Sequence, residues 1–257
     1  KTMNNTIHKG DCLELMYAIP DGSVDMILCD LPYGTTACKW DVIIAFEPLW
    51  EQYKRIIKSN GAVVLTASQP FTSALVMSNP NMFRYCWVWN KGIGTNYLQA
   101  NKQPLKYHED VCIFYKSLPI YNPQKTEGKT WKRVTRSNNK EGSTYHKDTR
   151  AIGQVTIKDG RMPKSIIDFS APNTAGRFHP TQKPVALFEY LIKTYTNEGE
   201  TVLDNCAGSG TTAIACLNTN RNYILMEKEG KYFEMIENRI AKWHSERGPQ
   251  GLFKVAI

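Results

Sequence analysis

The feature that most constrains the fold is the alternation of short apolar runs with helical patterns along most of the chain. Runs rich in Val, Ile and Leu that alternate with helices indicate a parallel sheet covered by helices on its faces, so we expect an α/β fold. The expected strands are Thr6 to His8, Val24 to Cys29, Ala62 to Thr66, Tyr85 to Trp89, Asp110 to Tyr115, Thr201 to Leu203 and Tyr223 to Met226. The expected helices are Cys12 to Ala18, Pro48 to Lys58, Pro70 to Ser78, Pro184 to Thr196, Thr211 to Leu217 and Gly230 to His244.

Two segments lack this pattern, Lys91 to Lys106 and Ser117 to Lys164, and we expect long irregular connections there, of the kind that often carry function. The excess of positive charge also lies in the second segment. Residues 116–164 contain 12 of the 32 Lys and Arg but only 4 of the 24 Asp and Glu, so the rest of the chain has 20 basic and 20 acidic residues. Basic residues interleaved with aromatic ones suit contact with phosphates, whereas the alternative is a solvated basic loop. The candidate phosphate contacts are Lys129, Lys132, Arg133, Arg136, Lys140, Lys147 and Arg150.

Composition excludes several classes of protein. No run approaches the roughly 18 apolar residues of a membrane span, and the first residues lack the layout of a signal peptide, so we expect a cytoplasmic protein with no membrane partner. The 7 cysteines never form a CxxC pair, and none of the 5 histidines has a metal-ligand spacing. We therefore expect neither disulfides nor a bound metal.

The segment Thr201 to Thr212 predicts a buried strand that ends in an acid, then a glycine turn and a helix. Gly208 and Gly210 permit a tight turn, and Glu227 at the end of the next strand is placed to accept the hydroxyls of a ribose. A single GxG is weak evidence and is compatible with NAD. Because the loop reads GSG rather than GxGxxG, a methyl donor without phosphates fits it better than a pyrophosphate does.

A second acid ends another buried strand, in the segment Asp30-Leu31-Pro32-Tyr33. Methylation of an exocyclic amine requires acceptors that localise the nitrogen lone pair, and the Asp30 carboxylate and the Leu31 carbonyl would supply two. Leu31 is held extended by Pro32, and Tyr33 would stack on an extruded base. Without a partner motif this segment is more often a simple strand-ending turn. Cys29 suggests the covalent mechanism of carbon-5 methylation, but a thiol that ends an apolar strand is typically buried and inert.

Three motifs together, DLPYG at 30–34, HPTQKP at 179–184 and DNCAGSGTT at 204–212, resemble those of the β class of S-adenosylmethionine-dependent DNA amino-methyltransferases. The catalytic motif precedes the cofactor motif, which is the circularly permuted order of that class. The resemblance implies a Rossmann-like, mostly parallel sheet with helices on both faces. It also implies a catalytic half at 1–116, an inserted basic target-recognition region at 117–165 and a cofactor-binding half at 166–257.

The resemblance assigns roles to individual residues. It places Asp30, Leu31, Pro32 and Tyr33 at the target amine. The cofactor residues that it implies are Asp11, Asp30, Thr181, Lys183, Asp204, Cys206, Ala207, Gly208, Ser209, Gly210, Thr211, Thr212 and Glu227. In particular, Thr181 and Lys183 would close over the amino-acid end of the cofactor. One residue departs from the family pattern, since Leu31 stands where the family's DPPY has its first proline.

The resemblance also implies the reaction: transfer of the methyl group of S-adenosylmethionine to adenine N6 in double-stranded DNA, by direct attack of a flipped base. In the family an Asp at the first position favours adenine and a Ser favours cytosine N4, so Asp30 indicates adenine. Cytosine-N4 methylation shares every motif and stays the alternative, followed by methylation of RNA or a small molecule. A homodimer, a cognate restriction endonuclease and a bacterial or phage-infected host are further expectations from the resemblance.

Overall fold

The computed structural model describes residues 4–36, 38, 41–128, 131–134, 155–158, 160–170 and 182–247. The strands in these ranges are β1 (Thr6–Lys9), β2 (Val24–Cys29), β3 (Ile57–Ala67), β4 (Phe83–Thr95), β5 (Lys106–Phe114), β6 (Trp131–Val134), β7 (Val155–Lys158), β8 (Ile166–Asp168), β9 (Thr201–Asp204) and β10 (Asn222–Glu227). The helices are α1 (Cys12–Met16), α2 (Phe46–Ile56), α3 (Phe71–Ser78), α4 (Val185–Tyr195), α5 (Thr211–Asn218) and α6 (Gly230–Arg247), with a 3₁₀ turn at Tyr97–Gln99.

The described part of the chain divides into two compact units, with boundaries at 122/123 and 164/165. The larger unit is built on a sheet of eight strands in the order β1-β10-β9-β2-β3-β5-β4-β8. Five of its seven strand pairings are parallel, and only β3–β5 and β5–β4 are antiparallel. The prediction of a mostly parallel sheet is confirmed. The smaller unit contains the antiparallel pair β6–β7.

Helices cover both faces of the eight-stranded sheet, as predicted. Side chains alternate along each strand, so that β2 sends Ile27 and Cys29 into one core and Met26 and Leu28 into the other. The first core is completed by buried residues of α1, α2 and α3, and the second by those of α4, α5 and α6. All six residues of β2 are buried, which explains why its sequence is continuously apolar apart from one acid, Asp25.

Several strands, or parts of strands, were not predicted from the sequence. β4 continues six residues beyond the expected end at Trp89, because it pairs with β5 through Asn90–His108 and Thr95–Lys106. β8 lies beside β4, and β6 and β7 fall inside the segment that was expected to be irregular. Within the described ranges, no helix is both long and apolar enough to cross a bilayer.

Candidate active site

The parallel strands bring their carboxyl ends to one edge of the sheet. β2 and β9 are neighbours in the middle of the sheet. From this pair the chain runs in opposite directions across the sheet, from β9 to β10 on one side and from β2 to β3 on the other, so the strand order reverses between them. Ligands of open α/β sheets bind at such a switch point. The acids that end or follow the strands there are Asp30 after β2, Asp204 on β9, Glu227 on β10 and Asp11 after β1.

Asp30 is held by three donors. Its Oδ1 accepts hydrogen bonds from the Tyr33 hydroxyl at 2.7 Å and from the Thr66 hydroxyl, and its Oδ2 accepts one from Lys183 Nζ at 2.8 Å. An ionised carboxylate offers about four acceptor positions. These three contacts therefore leave one acceptor position of Asp30 for a further donor, such as an amine of a substrate.

Tyr33 is fixed as a neutral donor beside Asp30. Burial and the nearby Asp30 carboxylate raise the pKa of Tyr33 well above its ordinary value, so its hydroxyl keeps its proton. Its ring stacks on Phe71 with centroids 5.1 Å apart, and Lys183 Nζ lies 5.5 Å from the ring centroid. Because Phe71 covers one face of the ring, at most one face is left for a base. Leu31 is buried in the core.

The loop after this tetrapeptide is tied down by an acid that the sequence reasoning missed. The Asp41 carboxylate accepts hydrogen bonds from the amides of Gly34 at 2.8 Å, Thr35 at 2.9 Å and Thr36 at 2.7 Å. Burial alone would raise the pKa of Asp41, but the Thr36 hydroxyl and these three amides outweigh burial and hold the pKa below its ordinary value. In the sequence, the feature that could have indicated this contact is the glycine at 34 followed seven residues later by the acid at 41.

Lys183 lies at the catalytic acid. Its Nζ contacts Asp30 Oδ2 at 2.8 Å and Glu109 Oε2 at 3.3 Å, and its side chain is only 8% exposed. Burial lowers the pKa of Lys183, but the carboxylates of Asp30 and Glu109 outweigh it, so the pKa lies above its ordinary value. The proposed pairing of Lys183 with a cofactor carboxylate stays a prediction, and Thr181 lies outside the described residues.

Asp204 is buried beneath the glycine turn. It accepts hydrogen bonds from the Thr212 hydroxyl and from the Cys206 amide, the latter at 3.1 Å. Burial raises the pKa of Asp204 to about 6, despite these donors. The acid therefore joins the end of β9 to the first turn of α5.

Glu227 fastens the glycine turn to the next strand. Its Oε2 accepts a hydrogen bond from the Gly208 amide and its Oε1 one from the Glu229 amide, both at 2.8 Å. Burial raises the pKa of Glu227 above its ordinary value. Gly208 has φ +52° and Gly210 has φ +75°, the left-handed region that favours glycine, so the expected role of both glycines in a tight turn is confirmed.

The remaining loop residues pack beneath or beside this turn. The Ala207 amide donates to the Met226 carbonyl at 3.0 Å, and the Ser209 carbonyl accepts from Arg239. The Ser209 and Thr211 hydroxyls lie 3.3 Å apart, and Thr211 Oγ1 is also 3.3 Å from the Lys183 carbonyl. Thr211 thus connects the turn to the residue that contacts Asp30.

These residues fit S-adenosylmethionine. A Cβ atom built on Gly208 would meet only the Cys206 carbonyl, at 3.9 Å, so a ligand can approach the backbone closely. Two carboxylates, Asp204 and Glu227, border the turn, which suits a cation and ribose hydroxyls better than a pyrophosphate. Asp11 caps α1 by accepting from the Leu13 amide at 3.0 Å, and it pairs with Lys228 at 3.1 Å.

Cys29 is completely buried, and burial raises the pKa of its thiol to about 12, which agrees with the inert thiol expected from the sequence. Among the described residues, no group of three or more His, Cys, Asp or Glu is arranged to hold a metal ion.

The basic candidates for phosphate contact fall, by residue number, within the range of the smaller unit, Pro123–Lys164. Lys132 and Arg133 are on β6. The others, Lys129, Arg136, Lys140, Lys147 and Arg150, are outside the described residues. Their role therefore stays a prediction.

The chain is similar to known DNA methylases and methyltransferases. The family model N6_N4_Mtase, described as DNA methylase, matches residues 24–238. The chain is 27% identical to the type II methyltransferase M.HinfI of Haemophilus influenzae over 92% of this chain and 68% of that protein. It is 26% identical to the DNA adenine methyltransferase YhdJ of Escherichia coli K12, over 91% and 82%.

Two solved structures share the fold. The PvuII DNA methyltransferase, described as cytosine-N4-specific, has a TM-score of 0.69 at 16% identity and covers 93% of this chain and 87% of its own. The M1.HpyAVI–SAM complex has a TM-score of 0.60 at 22% identity, with coverage of 91% and 98%.

Proposed function

The chain belongs to the N6_N4 family of DNA methylases, and from that premise we propose that it transfers the methyl group of S-adenosylmethionine to adenine N6 in double-stranded DNA. The observation that carries the proposal is the arrangement around Asp30. This carboxylate stands at the switch point of the sheet, is oriented by three donors and has one acceptor position to spare.

The residues of the chain act by orientation. Asp30 and the Leu31 carbonyl accept hydrogen bonds from the two N–H groups of the amine, so that the nitrogen lone pair points away from the base ring toward the cofactor side of the edge. After methyl transfer, the nitrogen loses one of these protons by way of Asp30 or water. The ring face of Tyr33 not covered by Phe71 supports the flipped base. When bound, S-adenosylmethionine supplies an electrophilic methyl group on a sulfonium.

The glycine turn would hold the cofactor. Gly208 would let the methionine part approach the backbone, and Gly210, which packs against Ile236 of α6, would shape the turn around it. The Glu227 carboxylate would accept hydrogen bonds from the ribose hydroxyls, and Asp11 would lie near the adenine amine. The other residues that we assign to the cofactor are Asp204, Cys206, Ala207, Ser209, Thr211, Thr212 and, from the HPTQKP motif, Thr181 and Lys183.

The choice of adenine rests on Asp30 at the first position of the tetrapeptide and is supported by the likeness to YhdJ, which is named an adenine methyltransferase. Cytosine N4 is the second candidate, because cytosine-N4 methylation shares every one of the three motifs. The PvuII enzyme, with a TM-score of 0.69, is described as cytosine-N4-specific. At 16% identity that likeness shows the fold alone.

DNA binding is assigned to the basic segment 117–165, where the excess of positive charge is concentrated. The names of the relatives, such as type II methyltransferase M.HinfI, support a restriction endonuclease as a functional partner. We propose a homodimer on the family resemblance, which sedimentation of the purified chain would test.

The decisive experiment is incubation of the protein with unmethylated DNA and isotope-labelled S-adenosylmethionine, followed by digestion to nucleosides and mass spectrometry. Labelled N6-methyladenine supports the proposal, and labelled N4-methylcytosine overturns the choice of base while the reaction stands. DNA without label, alongside labelled RNA in a parallel incubation, would overturn DNA as the substrate.

A further inference from the structure

Four charged side chains, those of two buried lysines and two partly buried acids, form a chain that leads away from the catalytic acid. Lys183 Nζ is 2.8 Å from Asp30 Oδ2 and 3.3 Å from Glu109 Oε2, and Glu109 Oε1 is 3.3 Å from Lys91 Nζ. The side chains of Lys91, Glu109 and Lys183 are 8%, 15% and 8% exposed. The order of charges is therefore lysine, glutamate, lysine, aspartate, with Glu109 between the two cations.

The fold by itself does not require a carboxylate at position 109. The backbone of Glu109 pairs with Trp89 in the β4–β5 ladder, which fixes its place in the sheet whatever its side chain. Successive side chains of a strand point to opposite faces of the sheet. The next residue, Asp110, therefore points to the other face, where its carboxylate accepts a hydrogen bond from the Thr72 hydroxyl at 2.8 Å. Buried ion pairs are weak sources of stability because desolvation offsets their attraction, so the position of Glu109 calls for a functional reason.

We propose that Glu109 is a positioning residue of methyl transfer that acts on Asp30 through Lys183. The inference rests on the proposed function and extends it to a residue outside the three sequence motifs. With Glu109 on one side, the Lys183 ammonium is held so that one N–H points at Asp30 Oδ2, while Tyr33 and Thr66 hold Oδ1. Both oxygens of Asp30 are thereby fixed, and the remaining acceptor position faces the substrate in a constant direction.

Charge supports the same role. The groups that surround the Lys183 ammonium are the carboxylates of Asp30 and Glu109, the ammonium groups of Lys91 and Lys106, and the ring and hydroxyl of Tyr33. Burial favours the neutral form of Lys183, and the two carboxylates together keep it charged. Without Glu109, the ammonium groups of Lys91 and Lys183 would lose the carboxylate that lies between them, so Lys183 would lose its proton at a lower pH and hold Asp30 less firmly.

The test is a double-mutant cycle on kcat with Glu109→Gln and Lys183→Met, using the DNA and labelled cofactor described above. We expect Glu109→Gln to lower kcat, measured at saturating S-adenosylmethionine, roughly 10- to 100-fold. In the Lys183→Met background the same substitution should change kcat by less than about twofold, because its route to Asp30 is already gone. Glu189→Gln, at a half-buried glutamate that accepts from Asn218 at 2.6 Å on the helical layer, is the matched control and should retain full activity.

The pH profile separates positioning from mere packing. In Glu109→Gln, kcat should decline at alkaline pH earlier than in the wild type, and Glu109→Asp, which restores the charge, should move the decline back. If Glu109→Gln fails to fold, judged by its circular dichroism spectrum and Tm, the cycle is run with Glu109→Asp, whose shorter side chain should lower kcat only when Lys183 is present.

Two results would overturn the inference: losses that add in the double mutant, or an unchanged kcat and pH profile in Glu109→Gln. Either leaves the proposed function standing, since the wild type still methylates DNA in the same assay. A wild type that labels no nucleic acid would instead remove the proposed function, and this inference with it.

Discussion

The catalytic acid and the cofactor-side acids share one edge of one sheet, yet they are held in different ways. Asp204 is bound by Cys206 and Thr212, two and eight residues away, and Glu227 accepts from the Glu229 amide two residues away. Asp30 accepts from the nearby Tyr33 hydroxyl but also from Thr66 and Lys183, which are 36 and 153 residues distant. The donors of Asp204 and Glu227 are therefore neutral and at most 19 residues away, whereas Asp30 also depends on a distant cation.

This difference has an electrostatic consequence. Burial raises the pKa values of Asp204 and Glu227, and the amides and hydroxyls around them do not reverse that shift. Glu109, on the catalytic side, is also buried, but Lys183 and Lys91 outweigh burial and hold its pKa below its ordinary value. At this edge of the sheet, burial therefore disfavours the negative charge of Asp204 and Glu227 on the cofactor side, whereas lysines compensate the negative charge of Glu109 on the catalytic side.

The substitution Asp30→Ala is the strongest test of whether the catalytic side and the cofactor side are functionally separate. Because Asp30 is expected to orient the amine but not to carry the cofactor loop, kcat should fall by on the order of 10³-fold or more while the dissociation constant for S-adenosylmethionine stays nearly unchanged. Nucleoside analysis measures the first quantity and calorimetric titration the second. Retained methylation would disprove the catalytic assignment, and a matching loss of cofactor binding would show that the two sides are not separable.

Gly208→Ala tests the cofactor side. Gly208 has φ +52° and little around it, so an added methyl group costs about 1–2 kcal/mol of backbone strain and projects where the cofactor would approach. We expect cofactor affinity to fall by roughly 10- to 100-fold in calorimetric titration.

Gly199→Ala is the control for strain alone, because Gly199 has φ +80° and no atom within 4 Å of the added Cβ. It should lower the unfolding free energy by a similar amount and leave the cofactor dissociation constant unaltered. Equal losses of affinity in both variants would mean that strain, not proximity to the cofactor, is responsible.

Asp204→Asn tests the electrostatic half of the comparison. The pKa of Asp204 rises from 3.8 to about 6 in the folded state, so its contribution to stability is fully present below about pH 4 and is lost as the pH rises through about 6. An asparagine cannot titrate. Relative to the wild type, the variant should therefore gain about 2 kcal/mol of unfolding free energy between pH 4.5 and pH 8.

Urea denaturation at the two pH values measures this change, and any pH-independent effect of the lost Thr212 contact cancels in the difference. Asp21→Asn, at an exposed acid paired with Arg55, is the control and should show no comparable change. A constant offset between Asp204→Asn and the wild type at both pH values would remove the claimed contrast between the two sides.

Asp41→Ala should have a smaller effect, on the catalytic side only. Its carboxylate accepts from three amides of the loop behind Tyr33, and their loss would loosen that loop without removing a group that contacts the amine. We expect kcat to fall about tenfold and cofactor affinity to persist, measured in the two assays above. Asp21→Ala, which removes an acid remote from the loop, should leave kcat unchanged. An Asp41→Ala variant with wild-type kcat would show that the loop is ordered by other contacts.

The same contrast explains what could be predicted from the sequence. The glycine turn was correctly predicted because Gly208, Gly210 and Asp204 are neighbours in the sequence and their backbone requirements are local. The contact of Lys183 with Asp30 spans 153 residues and the role of Asp41 depends on three amides of a folded loop, so neither follows from residue spacing.

For the fold, continuous apolar runs identified β2, β9 and β10, whereas β8 and the far half of β4 were missed. Those segments are strands because a neighbour supplies hydrogen bonds, as in the pairing of Asn90 with His108, and not because their own side chains alternate. The antiparallel place of β5 between β3 and β4 was likewise not predictable from the alternation of apolar runs and helices.

The weakest expected effect belongs to Lys228→Met, and it bears on whether the cofactor side needs a cation at all. Lys228 pairs with Asp11 at 3.1 Å, but the two side chains are 70% and 39% exposed, and ion pairs of this kind contribute little because water and salt screen them. Asp11 also keeps its hydrogen bond from the Leu13 amide. The dissociation constant for S-adenosylmethionine should therefore change by less than about twofold, and the change should disappear when the salt concentration is raised. A loss of tenfold that persists in high salt would mean that a cation organises the cofactor side as Lys183 organises the catalytic side, and the division between local neutral donors and distant charged ones would no longer describe this edge.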